Sequence, residues 1–276
     1  MSGLPATLGE ALARARGRIA QGDARILLRE ASGAGLAQLV AFPERALPPE
    51  AAARFLAWLA RREAGEPVAH LLGEREFYGR RFRVSAATLI PRPDTELLVT
   101  LACERLAALA EPAVLDLGTG SGAIAISIAL ECPGARVSAV DFSAEALAVA
   151  RANASALGAR VTCLHGSWFA PVGAARYACI VSNPPYIAAA DPHLAQGDLR
   201  FEPLTALASG VDGLDDIRHI VAGAAAHLAP RGWLLLEHGH DQAAAVRRLL
   251  DAQGYAGVAS WRDLAGIERV TGGHLA

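Results

Sequence analysis

Three short stretches of this 276-residue chain combine residue types that could do chemistry. The first is Asp116-Leu117-Gly118-Thr119-Gly120-Ser121-Gly122. Its alternating glycines let a backbone turn sharply and leave room for a ligand to lie against it. A helix starting near Ala123 would add unpaired N–H groups from its first turn. The second is Asp141, 23 residues after Gly118, where a carboxylate can accept both hydroxyls of a ribose. The third is Ser182-Asn183-Pro184-Pro185-Tyr186. Two prolines cannot continue a buried strand or enter a helix interior, so they predict a rigid extended loop. The first two stretches point to a nucleotide-type cofactor without saying which one. Gly118, Gly120 and Ala123 also satisfy the dinucleotide pattern G-x-G-x-x-G/A.

These residues need elements that carry them to one place. From about Ala113 onward, short apolar runs alternate with helical patterns. Val114-Leu115-Asp116, Val137 to Asp141, Val161 to His165, Ala178 to Ser182 and Trp233 to Glu237 read as buried strands. Between them lies, among others, a helix over Ser143 to Leu157, with Gly158 at its C-terminal cap. Such alternation predicts an α/β fold with a parallel, doubly wound sheet, which binds ligands at the carboxyl ends of its strands. All three stretches would sit at those ends. The first 65 or so residues read as a small helical bundle. Thr7 with Glu10 forms a capping-box pair opening Leu8 to Ala20, and Asp23 is placed to cap a second helix. Pro48-Pro49 precedes a third, where Ala52, Phe55, Leu56 and Leu59 recur at helical spacing. Residues 70 to 90 alternate around Tyr78-Gly79 as in a β-hairpin. The division expected is therefore 1–69 helical, 70–92 hairpin linker and 93–276 α/β domain.

Composition narrows the function classes. The chain is 53% hydrophobic and 20% charged, enough for a large core and incompatible with disorder. All 26 cationic residues are arginine, so Schiff-base and P-loop lysine chemistry are absent. A net charge of −2 supplies no global basic field for nucleic acid. Cys103, Cys132, Cys163 and Cys179 are scattered without a CxxC pair, predicting buried thiols rather than a zinc site or a disulfide frame. His238 and His240 flank Gly239 with no third ligand in view, so no metal is expected. Arginines in the first twenty residues and apolar runs too short for a span predict a soluble, cytoplasmic protein with no membrane association.

The chain resembles S-adenosylmethionine-dependent methyltransferases of planar amide or amine nitrogens. Among them it is most similar to the protein-(glutamine-N5) methyltransferases of peptide-chain release factors. The residues that carry the likeness are Ile90-Pro91-Arg92-Pro93-Asp94-Thr95-Glu96, Gly118 to Gly122, Gly166-Ser167-Trp168-Phe169 and Asn183 to Tyr186. Phe201-Glu202-Pro203, Asp212-Gly213-Leu214 and Leu236-Glu237-His238-Gly239 extend it over nearly the whole chain. Asp94 stands where glutamate is usual, and Ser167 where aspartate is frequent. The resemblance implies a mainly parallel, seven-stranded, Rossmann-like methyltransferase sheet behind an N-terminal substrate-recognition domain.

By the same resemblance, S-adenosylmethionine would be held by Gly118, Thr119, Gly120, Ser121, Gly122, Asp141, Trp168 and Asn183, and released as S-adenosylhomocysteine. Trp168 would pack by the adenine. Asn183, Pro184, Pro185 and Tyr186 would hold the target glutamine of a release factor's Gly-Gly-Gln motif, with Asn183, Pro184 and Tyr186 as the catalytic set. Asp116 would organise the loop or meet the cofactor's ammonium through water. Glu202 and Glu237 could brace the substrate loop, or equally serve in packing and capping. A monomer without direct nucleic-acid contact is expected. An adenine-N6 DNA methyltransferase is the competing reading, since Asn-Pro-Pro-Tyr suits any planar N–H₂ group and Arg75, Arg80, Arg81 and Arg83 form a local basic stripe. A nicotinamide oxidoreductase fits the glycine loop but leaves Asn183 to Tyr186 unexplained. A catalytically silent cofactor-binding adaptor is disfavoured by the intact Asn183.

Overall fold

The computed structural model describes residues 3–276. It forms two compact units, which divide between Gly73 and Glu74.

The first unit is helical: α1 (Leu8–Ala15), α2 (Gln21–Ser32), α3 (Leu36–Ala41), α4 (Pro49–Glu63) and α5 (Val68–Leu72). Its core is built from Leu8, Leu27, Leu28, Phe55 and Leu59. Thr7 caps α1 by accepting the Glu10 N–H at 3.2 Å, but the Glu10 carboxylate reaches back to the Ala6 N–H rather than to Thr7. The helix stops at Ala15, short of Ala20, and Gly17 just beyond it takes a left-handed conformation. Asp23 does not cap α2. It lies within the first turn and pairs with Arg62 of α4 at 2.8 Å. Pro49 opens α4 at a position where its missing N–H costs nothing. The sequence reading overlooked α3 and α5, both of six residues or fewer and too short for helical periodicity to register.

The second unit begins with an antiparallel hairpin, β1 (Glu74–Phe77) and β2 (Arg80–Arg83). It is shorter than the 70-to-90 alternation suggested, since α5 takes its front. Tyr78 and Gly79 both have positive φ, at 50° and 71°, as a tight two-residue hairpin turn of the primed kind requires. Phe77 and Phe82 are buried edge-to-face with centroids 6.0 Å apart. A 3₁₀ turn over Pro93–Thr95 then leads into α6 (Glu96–Leu106).

The remaining elements are β3 (Ala113–Leu117), α7 (Ala123–Glu131), β4 (Arg136–Asp141), α8 (Ala144–Leu157), β5 (Val161–His165) and β6 (Tyr177–Ser182). They are followed by α9 (Asp215–Ala224), β7 (Leu228–Glu237), α10 (Ala243–Ala252), β8 (Ala256–Arg262) and β9 (Glu268–His274). The seven strands β3 to β9 make one sheet in the order β5-β4-β3-β6-β7-β9-β8. The first five run parallel, and β9 enters antiparallel between β7 and β8. The expected doubly wound, mainly parallel seven-stranded architecture is thus present. Its strand order reverses between β3 and β6, the point where such sheets bind ligands. Helix α8 follows its sequence signals closely: Ser143 accepts the Ala146 N–H at 3.1 Å and Gly158 ends the helix at φ 70°.

Candidate active site

Register places the chemistry. Val140 of β4 and Ser182 of β6 each pair with Leu117 of β3, and Ser182 pairs with Leu236 of β7. The next residue on each strand is Asp141, Gly118, Asn183 and Glu237. Four residues from across the sequence therefore share one line at the carboxyl edge of the sheet. In-register parallel pairing is what aligns them, because every strand here advances by the same rise.

The glycine loop folds back on β4, with the Gly118 and Thr119 N–H groups both donating to the Val140 carbonyl at 2.9 and 3.0 Å. The Asp141 carboxylate ties the edge together. One oxygen accepts the Gly120 N–H at 2.8 Å and the other the Ser143 N–H at 2.9 Å. Burial pushes its carboxyl above the ordinary carboxylate range, against the pull of those backbone donors. Asp116, wholly buried, accepts the Thr119 hydroxyl at 2.6 Å and the Ala125 N–H at 3.2 Å. Its second oxygen has no partner, and burial raises its carboxyl to about 7. Asn153 of α8 donates to the carbonyls of Ser121 and Arg83 and accepts the Arg83 N–H at 2.8 Å, fastening the loop to the hairpin.

On the far side of the switch point, Asn183 donates from Nδ2 to the Thr95 hydroxyl oxygen at 3.2 Å. The Tyr186 hydroxyl donates to Glu237 at 3.4 Å, and the Tyr186 carbonyl accepts from Gln242 at 2.9 Å. Burial, with Asp94 nearby, lifts the Glu237 carboxyl to about 7, although the neighbouring Thr95 and Tyr186 hydroxyls favour its charged form. Burial and the neighbouring Glu237 raise the Tyr186 phenol well above its usual value, so it remains protonated. Glu202, buried in the segment after β6, accepts the Ile90 N–H at 2.8 Å and pairs with Arg92. That latches the Ile90–Thr95 strap over the site.

A cavity of about 480 Å³ opens onto both halves. Gly118, Thr119, Gly120, Ser121, Asp141 and Trp168 line one part, and Arg92, Thr95, Asn183, Pro185 and Pro203 the other. Gly122, Pro184 and Tyr186 are not on its wall. Gly122 packs beneath, where a Cβ would lie 2.8 Å from Ile126. Trp168 adopts φ 47°, a strained value for a tryptophan, and its ring faces Gly118. Sequence reasoning assigned no role to Arg92, Thr95 or Asn153. A signal existed for the first two, polar residues set between and after the prolines at 91 and 93. Asn153 gives none, because its partners lie 32 and 70 positions away.

Two of the four arginines of the stripe are ion-paired, Arg80 to Glu131 at 2.6 Å and Arg81 to Glu74 at 2.5 Å. Among the described residues, no helix is long and apolar enough to cross a membrane.

Residues 94–198 match the model of the methyltransferase small domain, and residues 7–73 that of the PrmC N-terminal domain. A release factor glutamine methyltransferase of Burkholderia pseudomallei is 55% identical over 92% of this chain and 91% of its own. One of Bordetella pertussis is 56% identical over 92% of this chain and 94% of its own. Among solved structures, a 16S rRNA N2 G1207 methyltransferase of T. thermophilus shares the fold, with a TM-score of 0.53 and 21% identity over 74% of this chain and 50% of its own. Relatives at this identity, matched along nearly their full length, settle the kinship: the chain belongs to the release factor glutamine methyltransferase family.

Proposed function

We propose that the protein transfers a methyl group from S-adenosylmethionine to the side-chain amide nitrogen of the glutamine in the Gly-Gly-Gln motif of peptide-chain release factors. The observation that carries this reading is one cavity lined at one end by the glycine loop and Asp141 and at the other by Asn183 and Pro185.

The residues present suit the cofactor. A Cβ at Gly118 would meet Trp168 at 3.8 Å and one at Gly120 nothing within 4 Å, so open space lies against the loop backbone. Asp141 keeps lone pairs beyond the two that Gly120 and Ser143 engage, enough for ribose hydroxyls. The unpartnered Asp116 oxygen suits an ammonium reached through water. Trp168 is assigned to the adenine. S-adenosylmethionine would supply a sulfonium-bound, electrophilic methyl group.

The protein's own task is alignment. An amide nitrogen is a poor nucleophile because its lone pair is delocalised into the carbonyl. Asn183 Oδ1 and the Pro184 carbonyl would accept its two N–H bonds, fix the nitrogen in line and stabilise the positive charge as it develops. Tyr186, kept protonated and tied to Glu237, would brace the Asn183–Pro185 loop from behind the cavity wall. The methylated nitrogen sheds one of its protons after transfer, so no strong base is required beside it. We assign substrate recognition to the N-terminal helices, where Leu36, Val40 and Phe42 expose half or more of their surface.

The test is labelled-methyl incorporation with purified substrates. Label should enter intact release factor and vanish when its motif glutamine is replaced by alanine. Incorporation into duplex DNA, or none into release factor, would overturn the proposal.

A further inference from the structure

The loop assigned to orient the substrate amide has little backbone with which to hold itself. Pro184 and Pro185 carry no N–H, and the Pro184 carbonyl is assigned to the substrate. Before the prolines, the Ser182 hydroxyl at the end of β6 donates to the Leu117 carbonyl at 2.7 Å. After them, Ile187 exchanges backbone bonds with Leu207 and Ser209, at 2.9 Å each. Between those anchors, Tyr186 is the link whose position sets the loop.

Gln242 holds that link. It stands just before α10, yet its side chain makes no capping bond to the helix. Nearly buried, it reaches instead into the space between three segments. Its Oε1 accepts the Gly239 N–H at 2.8 Å, and its Nε2 donates to the Tyr186 carbonyl at 2.9 Å and the Asp212 carbonyl at 3.3 Å. Every partner is a backbone group, so each is a donor or an acceptor by its nature. Turned end for end, the amide would set N–H₂ against an N–H and its oxygen against two carbonyls. Its orientation is therefore fixed. The fit is close: a Cβ on Gly213 would run into the Tyr186 carbonyl oxygen and lie 2.8 Å from Gln242 Nε2.

We propose that Gln242 is a positioning residue for methyl transfer, clamping the Tyr186 carbonyl so that Asn183 and the Pro184 carbonyl keep the spacing the substrate amide requires. This rests on the reading of those two groups as acceptors for the glutamine amide. Gln242 does not line the cavity and acts through the loop. Its loss should reach turnover and leave the cofactor's end of the site intact.

The experiment is steady-state kinetics of the full-length protein on intact release factor, with cofactor binding followed by calorimetry. Gln242→Met keeps the length of the side chain and removes both polar ends. It should lower kcat about tenfold or more while cofactor Kd stays within about twofold. Leu250→Ala, a buried position further along α10, loosens the same helix from the core. The folded Leu250→Ala protein should keep kcat within about twofold of the parent. In an Asn183→Ala background, Gln242→Met should cost about threefold or less, because the main group it positions is gone. Should Gln242→Met fail to fold, Gln242→Ala replaces it in each comparison. Unchanged kcat in a folded Gln242→Met protein, cofactor affinity falling in step with kcat, an equal loss in Leu250→Ala, or an undiminished loss in the Asn183→Ala background would each overturn the inference. Near-full kcat in Asn183→Ala alone would instead overturn the role of Asn183 on which it rests.

Discussion

The Asp141 carboxylate and the Gly120 backbone N–H, 21 positions apart, are joined by a 2.8 Å hydrogen bond. Through it the acidic end of β4 shapes the glycine loop after β3. One residue thus has two tasks, holding the loop and facing the cavity.

Replacing it should expose both. Asp141→Ala is expected to weaken S-adenosylmethionine binding by roughly 1.5–3 kcal/mol, the scale of lost hydrogen bonds to a charged acceptor. Titration calorimetry on the folded variant measures this directly. An unchanged affinity would remove Asp141 from the cofactor site.

Asn183→Ala addresses turnover. It should cut kcat by about 10²–10³, as loss of one positioned transition-state group does, with cofactor binding much less affected. Single-turnover methylation of release factor gives the number. Near-full kcat would eliminate the amide clamp.

The glycine loop contains positions that differ in kind. Gly122 has φ 82°, and a Cβ there would lie 2.8 Å from Ile126 Cδ1 and 3.2 Å from Ala150 Cβ. Gly122→Ala should therefore destabilise the apoprotein by about 1–3 kcal/mol through strain and overpacking. At Gly120, with φ 54° and nothing within 4 Å, alanine meets strain but no clash. Gly120→Ala should be the milder of the two in urea unfolding. Equal losses would mean that the Gly122 contacts relax freely.

Buried Asp116 makes stability depend on pH. Its carboxyl is raised to about 7 in the folded protein, against about 3.9 for an exposed aspartate. The native state therefore holds this proton more tightly than the unfolded chain. The stability it contributes is full below about pH 4 and is lost as pH rises through about 7. Asp116→Asn cannot ionise, so relative to the parent it should gain at least about 1 kcal/mol between pH 5 and pH 8. Comparing variant and parent at each pH cancels the titration of Glu237. A constant difference across that range would show that Asp116 is already ionised at pH 5.

Local chemistry made much of this protein legible from its sequence. The glycine run fixed a strand-to-helix turn because few other residues take positive φ there. Ser143 and Gly158 marked the ends of α8, and Pro184-Pro185 could be nothing but extended loop. Apolar runs separated by helical patterns implied a parallel sheet, and the likeness of Asn183 to Tyr186 to a known loop named the chemistry. Short helices such as α3 and α5 escaped, since one and a half turns carry no periodicity. Tertiary structure decided the rest. Which strand β9 would join depended on pairing across the sheet, and its antiparallel entry between β7 and β8 leaves no trace in local pattern. The partners of Asn183, Glu202 and Asn153 lie 88, 112 and 70 positions away. A hydrogen bond between such residues depends on where the fold carries each backbone, which is set by the packing of the whole core.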